Sequence, residues 1–496
     1  MTGITLQDGQ ADAPSERSTR SYWHREPSNV LLGHRTTTSL PPTADVVVVG
    51  SGITGAFAAR FLKESDGGDG TEVLMLEARE ACWGATGRNG GHCQPNLYVP
   101  APAIAHFEAQ TYTFLRDFVV SHDIPCDWTS LQGVHAFYTP DLLARAALRI
   151  ADLARSHPQL AAGARVVRSA DKLADLHIPG AVGAVVQTAA ASCWPYKLVS
   201  WVLEDLLRRF GAQEQKRKAD GVDGTNGRGW FNLQTNTPVD HLQRLGGTDD
   251  GYRWMVHTSR GQVAARHVLL ACNGYTSRLV SELSDLIVPV RGQVAALLPR
   301  AGQDALTHSY VFMGEPPDGP VQDDYLIQRP CGKKEMILGG GRGWGEGKGV
   351  GVSADDWIDP VVARYLRRAL ASSMRLGGGR KKTDGDEDDK EEEMEADYEW
   401  TGIMGFSRDG CPWVGEVPAW LGGGDGLWMA AGYTGHGMPQ AALCAKAVVD
   451  MMTGQGGDGK GDGVGLPDEF RVTKSRVEMA RSMDTVREAD AKNMFL

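Results

Sequence analysis

Asp45-Val46-Val47-Val48-Val49 runs directly into Gly50-Ser51-Gly52-Ile53-Thr54-Gly55. A short, β-branched, uninterrupted apolar run is what a central parallel strand buried on both faces requires. Ala56 to Glu64 then supplies good helix formers with apolar residues at Phe57, Phe61 and Leu62, a polar turn covers Asp66 to Gly70, and a second apolar strand, Val73 to Leu76, ends at Glu77. The order predicts a βαβ unit. In it, Gly50 permits the tight strand-to-helix turn, Gly52 lets backbone N–H groups approach a diphosphate, and Gly55 allows close helix packing. Ile53 and Thr54 open the helix, whose unpaired N–H groups favour an anion. Glu77, 27 residues beyond Gly50, is placed to accept from ribose hydroxyls. This predicts a dinucleotide site and leaves flavin and nicotinamide open.

The next stretches choose between them. Glu77-Ala78-Arg79 leads into Cys82-Trp-Gly84-Ala85-Thr86-Gly87-Arg88-Asn89-Gly90-Gly91-His92. Its glycines let backbone lie against a flat ring, and Thr86, Arg88 and Asn89 can meet phosphates or ring heteroatoms. Near the C-terminus stands Gly432-Tyr-Thr-Gly435-His436-Gly437-Met438-Pro439, ahead of a strong helix over Pro439 to Met452, with Pro439 expected in its first turn. Between them lies Val268-Leu-Leu-Ala271-Cys-Asn-Gly-Tyr-Thr276. Together, over roughly residues 40 to 455, these motifs resemble the D-amino-acid oxidase-like FAD-dependent oxidoreductases. The resemblance implies an α/β fold with a Rossmann-type FAD-binding domain and a second α+β substrate domain built on an antiparallel sheet. It implies an FAD domain assembled from 40–100, 190–278 and 400–455, a substrate or cap domain from 101–189 and 279–399, and a C-terminal extension over 456–496. The ring-facing turn would then be Gly432 to Met438, with donors aimed where negative charge accumulates on the reduced flavin.

Family members acting on amino acids commonly carry an arginine shortly after a tryptophan, ahead of Asp-Gly-x-Pro, to pair with the substrate carboxylate. Here Trp400-Thr-Gly-Ile-Met404-Gly-Phe-Ser-Arg408-Asp409-Gly-Cys-Pro412 puts Met404 in that place. A thioether cannot hold a carboxylate, so the closer resemblance is to gamma-glutamylputrescine oxidase-like amine oxidases, unless Arg408 takes over the role. The implied reaction is hydride transfer from the nitrogen-bearing carbon of an amine to flavin N5, hydrolysis of the imine, and reoxidation by O2 to give hydrogen peroxide. His436 and His92 are the candidate bases, with structural neighbours of the ring as the plainer reading. Met404 and Tyr325 are the candidate pocket residues. An amino-acid oxidase, a dehydrogenase using a non-oxygen acceptor, and a non-catalytic flavoprotein interaction module remain as alternatives.

Composition narrows the partners. The chain has 496 residues and a net charge of −11, and Arg380 to Asp397 alone, with ten acidic and four basic residues, contributes −6 of it. No basic footprint for nucleic acid is present. Eight scattered cysteines without a CxxC pair read as reduced thiols with no metal site. Nothing approaches the length of a membrane span or a secretory signal, so a cytoplasmic location is expected. Residues 1–39 read as a mostly irregular arm. Gln213 to Gly229, Leu376 to Asp397 and Thr453 to Gly465 read as polar inserts, the acidic one over 376–397 as disordered.

Overall fold

The computed structural model describes residues 6–65, 67–211, 229–246, 250–314, 319–377, 393–455 and 464–491. Val46 to Val49 are buried on both faces, as their composition requires, and pair in parallel with Val73–Leu76 on one side and Gly261–Leu270 on the other. The described sheet continues through Phe231–Gln234 beyond the second strand, and through Leu427–Ala431 and the antiparallel Trp413–Glu416 beyond the third. Trp254–Thr258 and Val239–Arg244 add an antiparallel flap. Helices Ile53–Glu64, Pro195–Leu206 and Ala441–Thr453 cover one face. Their small and apolar residues (Ala56, Ala58, Ala59, Ala442, Ala445) let the first and last pack closely.

A second described sheet of nine strands has the order Ala396–Ser407, Ile287–Leu297, Met336–Gly339, Gln322–Gln328, His308–Gly314, Thr129–Phe137, Gly183–Ser192 and His92–Cys93, with Ala164–Val167 on Gly183–Ser192. All its pairings are antiparallel except His308–Gly314 with Thr129–Phe137. The mixed α/β architecture with a dinucleotide-type sheet and a mainly antiparallel second sheet is the expected one. Residues 400–407, read from sequence with the FAD domain, form the end of the long second-sheet strand Ala396–Ser407, and that strand delivers Met404.

The N-terminal segment, expected as a mostly irregular arm, is packed into the protein. It is irregular apart from one short turn, Tyr22–His24, yet Ala11, Tyr22, Trp23 and Leu31 are fully buried. Arg25 lies between the rings of Tyr22 and Trp194, 3.7 and 3.8 Å from their centroids. Of the polar inserts, 212–228, 378–392 and 456–463 lie outside the described residues. The last part of the acidic one is ordered, because Glu393 is paired with Arg364, Arg367 and Arg368 and Ala396 already begins a strand. Pro439 also differs from expectation. The final helix begins at Ala441, and Gln440 is pulled out of helical geometry towards Glu108, to which its side chain donates at 2.9 Å. Among the described residues no helix is long and apolar enough to cross a membrane.

Candidate active site

The C-terminal ends of the central parallel strands open into a cavity of about 570 Å³ that extends to the second sheet. Gly50, Gly52, Ile53, Thr54, Glu77, Ala78, Arg79, Gly84, Ala85, Thr86, Arg88, Asn89, Gly90 and Ala271 line one part, and Gly435, His436, Gly437 and Met438 line another. His92, Met404 and Tyr325 lie on the same wall system. Three expected residues stand behind it. Gly55 packs on the Gly50 carbonyl, Gly91 faces the Trp23 indole, and the Gly432 N–H donates to Asn273 Oδ1 at 3.0 Å.

Gly50 has φ +105°, and a Cβ there would stand 2.8 Å from the Ala271 carbonyl oxygen, so the turn can follow the neighbouring strand only with glycine. The helix beyond it starts without a side-chain cap at Gly52, and the Ile53 N–H donates to Thr86 Oγ1 at 3.1 Å. The Glu77 carboxylate accepts from the Ser51 N–H and hydroxyl, at 3.0 and 2.6 Å, and from the Arg79 N–H at 2.9 Å. That fixes it at the mouth of the turn.

The two arginines of the expected cofactor-binding set, Arg79 and Arg88, have partners within the protein. Arg79 pairs with both oxygens of buried Asp355, at 2.9 and 3.0 Å. Arg88 lies 3.3 Å from the same carboxylate. It also donates to the carbonyls of Trp83 (3.0 Å), Thr401 (2.8 Å) and Thr19 (2.6 Å) and to the Ser18 hydroxyl. Burial, opposed by Asp355, pulls the Arg88 guanidinium down to about 10, which leaves it charged at neutral pH. Asp355 is therefore the residue that sequence reasoning missed here; an acid some 270 positions away carries no local signal.

Of the three histidines that line the cavity, His92, His135 and His436, the first and the last are shifted in opposite directions. Burial lowers His92 to about 4. Its Nε2 meets Gln94 Oε1 at 2.8 Å, Ser309 donates to the same oxygen at 2.8 Å, and Gln94 Nε2 donates to His135 Nε2 at 2.7 Å. With the amide oriented this way, His92 carries its proton on Nε2 and Nδ1 is its acceptor. His436 Nε2 instead faces Glu108 at 3.0 Å. Burial works against its charge, but Glu108 outweighs that and raises it above the usual histidine value. Glu108 also accepts from the Asn96 N–H at 2.7 Å. Arg408 points away: it donates to the Met483 carbonyl at 2.7 Å on the C-terminal extension and does not line the cavity. Met404 lines the cavity, its sulfur 3.4 Å from where a Cβ on Gly435 would stand.

Residues 45–451 match the family described as FAD dependent oxidoreductase, DAO. The chain belongs to this family. This DAO-family enzyme is 24% identical to Gamma-glutamylputrescine oxidoreductase of Escherichia coli (strain K12) over 432 residues, 83% of this chain and 84% of that protein. It is 26% identical to Glycine oxidase of Pseudomonas aeruginosa over 421 residues, 83% of this chain and 95% of the other. The solved L-amino acid deaminase from Proteus myxofaciens in complex with anthranilate shares its fold at a TM-score of 0.63 and 15% identity, covering 95% of this chain and 99% of that one. The DAO-family enzyme is thus an FAD-dependent oxidoreductase. Its cavity fits that cofactor. When FAD binds, the helix N-terminus beside Gly52 would offer backbone donors to the diphosphate, and Glu77 would offer a carboxylate to the ribose. The Gly435–Met438 turn could face the ring; the His436 N–H is spent on the Tyr433 carbonyl at 2.8 Å, so Gly437 and Met438 are the better donors there.

Proposed function

We propose that this enzyme oxidises a carbon–nitrogen bond of an amine-type small molecule, with O2 as the electron acceptor. The observation that carries the reading is Met404 on the cavity wall beside Gly435, with Arg408 turned away to the C-terminal extension. A thioether there gives an α-carboxylate no partner, and the similarity to a protein named Gamma-glutamylputrescine oxidoreductase points the same way.

FAD, when bound, supplies the acceptor for the hydride that leaves the nitrogen-bearing carbon. The protein's part is to present the substrate as a neutral amine, whose lone pair assists that departure. Val99, Val311, Met313, Met404 and Phe406 make an apolar wall that disfavours the ammonium form. His92, held neutral with Nδ1 as its acceptor, can take a hydrogen bond from the amine. The imine is hydrolysed by water, so that one primary amine, one O2 and one H2O give an aldehyde, ammonia and hydrogen peroxide.

The test is anaerobic addition of amines and of the matching α-amino acids to FAD-loaded enzyme, followed by air. Bleaching of the flavin's visible band by amines, with kcat/KM at least tenfold above the α-amino acids (about 1.4 kcal/mol in the barrier), and peroxide on admitting air are expected. Bleaching by α-amino acids alone, or by neither class, would overturn the reading.

A further inference from the structure

Gln187 is fully buried and does not line the cavity, yet it heads a chain of hydrogen bonds that ends on the cavity wall at His92. The second sheet makes room for that chain. Gln187 on Gly183–Ser192, Gly133 on Thr129–Phe137 and Ser309 on His308–Gly314 stand opposite one another across three strands. A Cβ on Gly133 would lie 2.5 Å from the Gln94 amide, so the glycine leaves the space that this side chain fills. Gln94 and Ser309 are buried there as well, and the directions of these polar groups are set by one another.

One backbone group sets the direction of the whole chain. The Leu97 N–H can only donate, and it meets Gln187 Oε1 at 2.8 Å. The Gln187 amide then turns its Nε2 to His135 at 3.0 Å, and a donor there requires a lone pair on His135 Nε2, with the ring proton on Nδ1 facing the Tyr98 hydroxyl at 2.8 Å. The same lone pair lies 2.7 Å from the Gln94 amide, which therefore also presents Nε2. Gln94 Oε1 is left to face His92 Nε2 and the Ser309 hydroxyl, each at 2.8 Å, and both donate to it. The proton of the His92 ring is thus on Nε2. Its Nδ1, which has no partner among the described residues, offers a lone pair on a ring that lines the cavity. Such a lone pair accepts from an N–H. A neutral primary or secondary amine keeps one beside the lone pair that assists departure of the hydride, whereas a neutral tertiary amine has none and would set two lone pairs against each other.

We infer that Gln187 is a positioning residue that fixes the ring proton of His92 on Nε2 through His135 and Gln94, so that the enzyme takes primary and secondary amines and discriminates against tertiary ones. The substrate preference rests on the amine-oxidation reading; the placement of the proton does not.

Two substitutions at Gln187 separate this role from packing. In Gln187→Glu one carboxylate oxygen still accepts from Leu97, but the other faces His135 Nε2 and draws a proton onto it; the Gln94 amide then reverses, its Nε2 donating to His92, and the His92 proton moves to Nδ1. Gln187→Met removes the acceptor for Leu97 yet leaves Gln94 donating to His135. Packing alone would make the isosteric Gln187→Glu the milder change. The relay predicts the reverse order: kcat/KM for hexylamine should fall about 10- to 100-fold in Gln187→Glu, the effect of setting a donor against a donor, and less in Gln187→Met. In wild type, N,N-dimethylhexylamine should show kcat/KM at least tenfold below N-methylhexylamine. The proton itself is read without turnover, from long-range proton–nitrogen correlations of FAD-loaded protein carrying 15N-histidine, with the His92 signals assigned by their loss in His92→Gln. They should place it on Nε2 in wild type and on Nδ1 in Gln187→Glu, and retained flavin content shows that the variants fold. A wild-type proton on Nδ1, a tautomer indifferent to Gln187→Glu, a smaller loss in Gln187→Glu than in Gln187→Met, or equal turnover of the secondary and tertiary amines would overturn the inference. If no amine reduces the flavin while the proton sits on Nε2 and moves in Gln187→Glu, it is the amine-oxidation reading that fails.

Discussion

Glu108 contributes one carboxylate to three donors, the Asn96 N–H, His436 Nε2 and Gln440 Nε2, and so ties the second-sheet side of the cavity to the turn before the last helix. Its effect on His436 is electrostatic. The raised value keeps that imidazole protonated to higher pH than an ordinary histidine, beside a helix N-terminus. Because the folded value lies above the unfolded one, the contribution to stability is complete below the unfolded value and fades as pH rises through the folded one. Replacing Glu108 with Gln should remove the counter-charge, leave burial as the dominant influence, and make His436 give up its proton at a lower pH than in wild type. A positive charge near the ring-facing turn stabilises reduced flavin. The plot of midpoint potential against pH should therefore bend at a lower pH in the variant than in wild type. Equal potentials in Glu108→Gln and wild type would show that this charge does not reach the flavin. His436 and His92 could be found from the motifs that contain them. Glu108 could not: it comes from the helix Pro102–Ser121, 328 positions from His436.

The elements divide by how far their burial depends on partners. Val46 to Val49 and Val73 to Leu76 announced themselves because strands buried on both faces need continuous apolar sequence. The hairpin of Gln322–Gln328 with Met336–Gly339 is legible from the turn Cys331-Gly-Lys-Lys, which separates the short runs Tyr325–Gln328 and Met336–Leu338. Ile287–Leu297 was not, since Pro289, Arg291, Gly292 and Gln293 break its pattern: its Gly292 meets the Met404 methyl, and Gln293 exchanges hydrogen bonds with the Asp359 backbone. The N-terminal segment hid in its own polar composition, with Ser21-Tyr22-Trp23-His24-Arg25 as the one signal that it packs. Trp23 Nε1 donates to the Asn89 carbonyl at 2.6 Å, Ser21 donates to the Gly87 carbonyl at 2.7 Å, and His24 stacks on Trp83 with 3.7 Å between centroids. This segment therefore fastens the flavin-side loop, and Asp355 fastens the loop's two arginines to it through Thr19 and Arg88. Replacing Asp355 with Ala leaves two guanidinium groups buried without their counter-charge. The cost should be about 3–5 kcal/mol, the usual result of breaking a buried ion pair on one side. Urea unfolding reads this as a lower midpoint, accompanied by weaker FAD retention. An unshifted midpoint would mean that Arg79 and Arg88 find solvent in the variant.

Across the whole molecule, three histidines are folded in as neutral groups: His24, at about 3, His92, at about 4, and His135, at about 3, each lowered first by burial. They join three regions, the N-terminal segment, the flavin-side loop and the second sheet. His135 shows why the neutral form is built in. Its Nε2 accepts from Gln94 and Gln187, at 2.7 and 3.0 Å, which requires a lone pair, while Nδ1 faces the Tyr98 hydroxyl at 2.8 Å. With folded values below the unfolded one, these groups bind protons in the unfolded chain that the folded chain refuses. Their contribution to stability is present above the unfolded value and is lost as pH falls towards the folded values. Each unmatched proton costs about 1.4 kcal/mol per pH unit, and the buried Asp324 carboxyl, raised to about 7 by burial, holds a proton in the folded chain over the same range and offsets one of the three, which leaves a slope of about 3 kcal/mol per unit between roughly pH 6 and 4. Urea unfolding at a series of pH values should show that steep acid-side loss. His24→Phe keeps a ring against Trp83 while removing one titrating group, and should reduce the slope by about 1.4 kcal/mol per pH unit. A stability that stays level from pH 7 to 4.5, or a His24→Phe slope equal to wild type, would mean that these imidazoles can take up protons without unfolding, and that the hydrogen-bond chain through Gln94 does not hold His92 and His135 neutral.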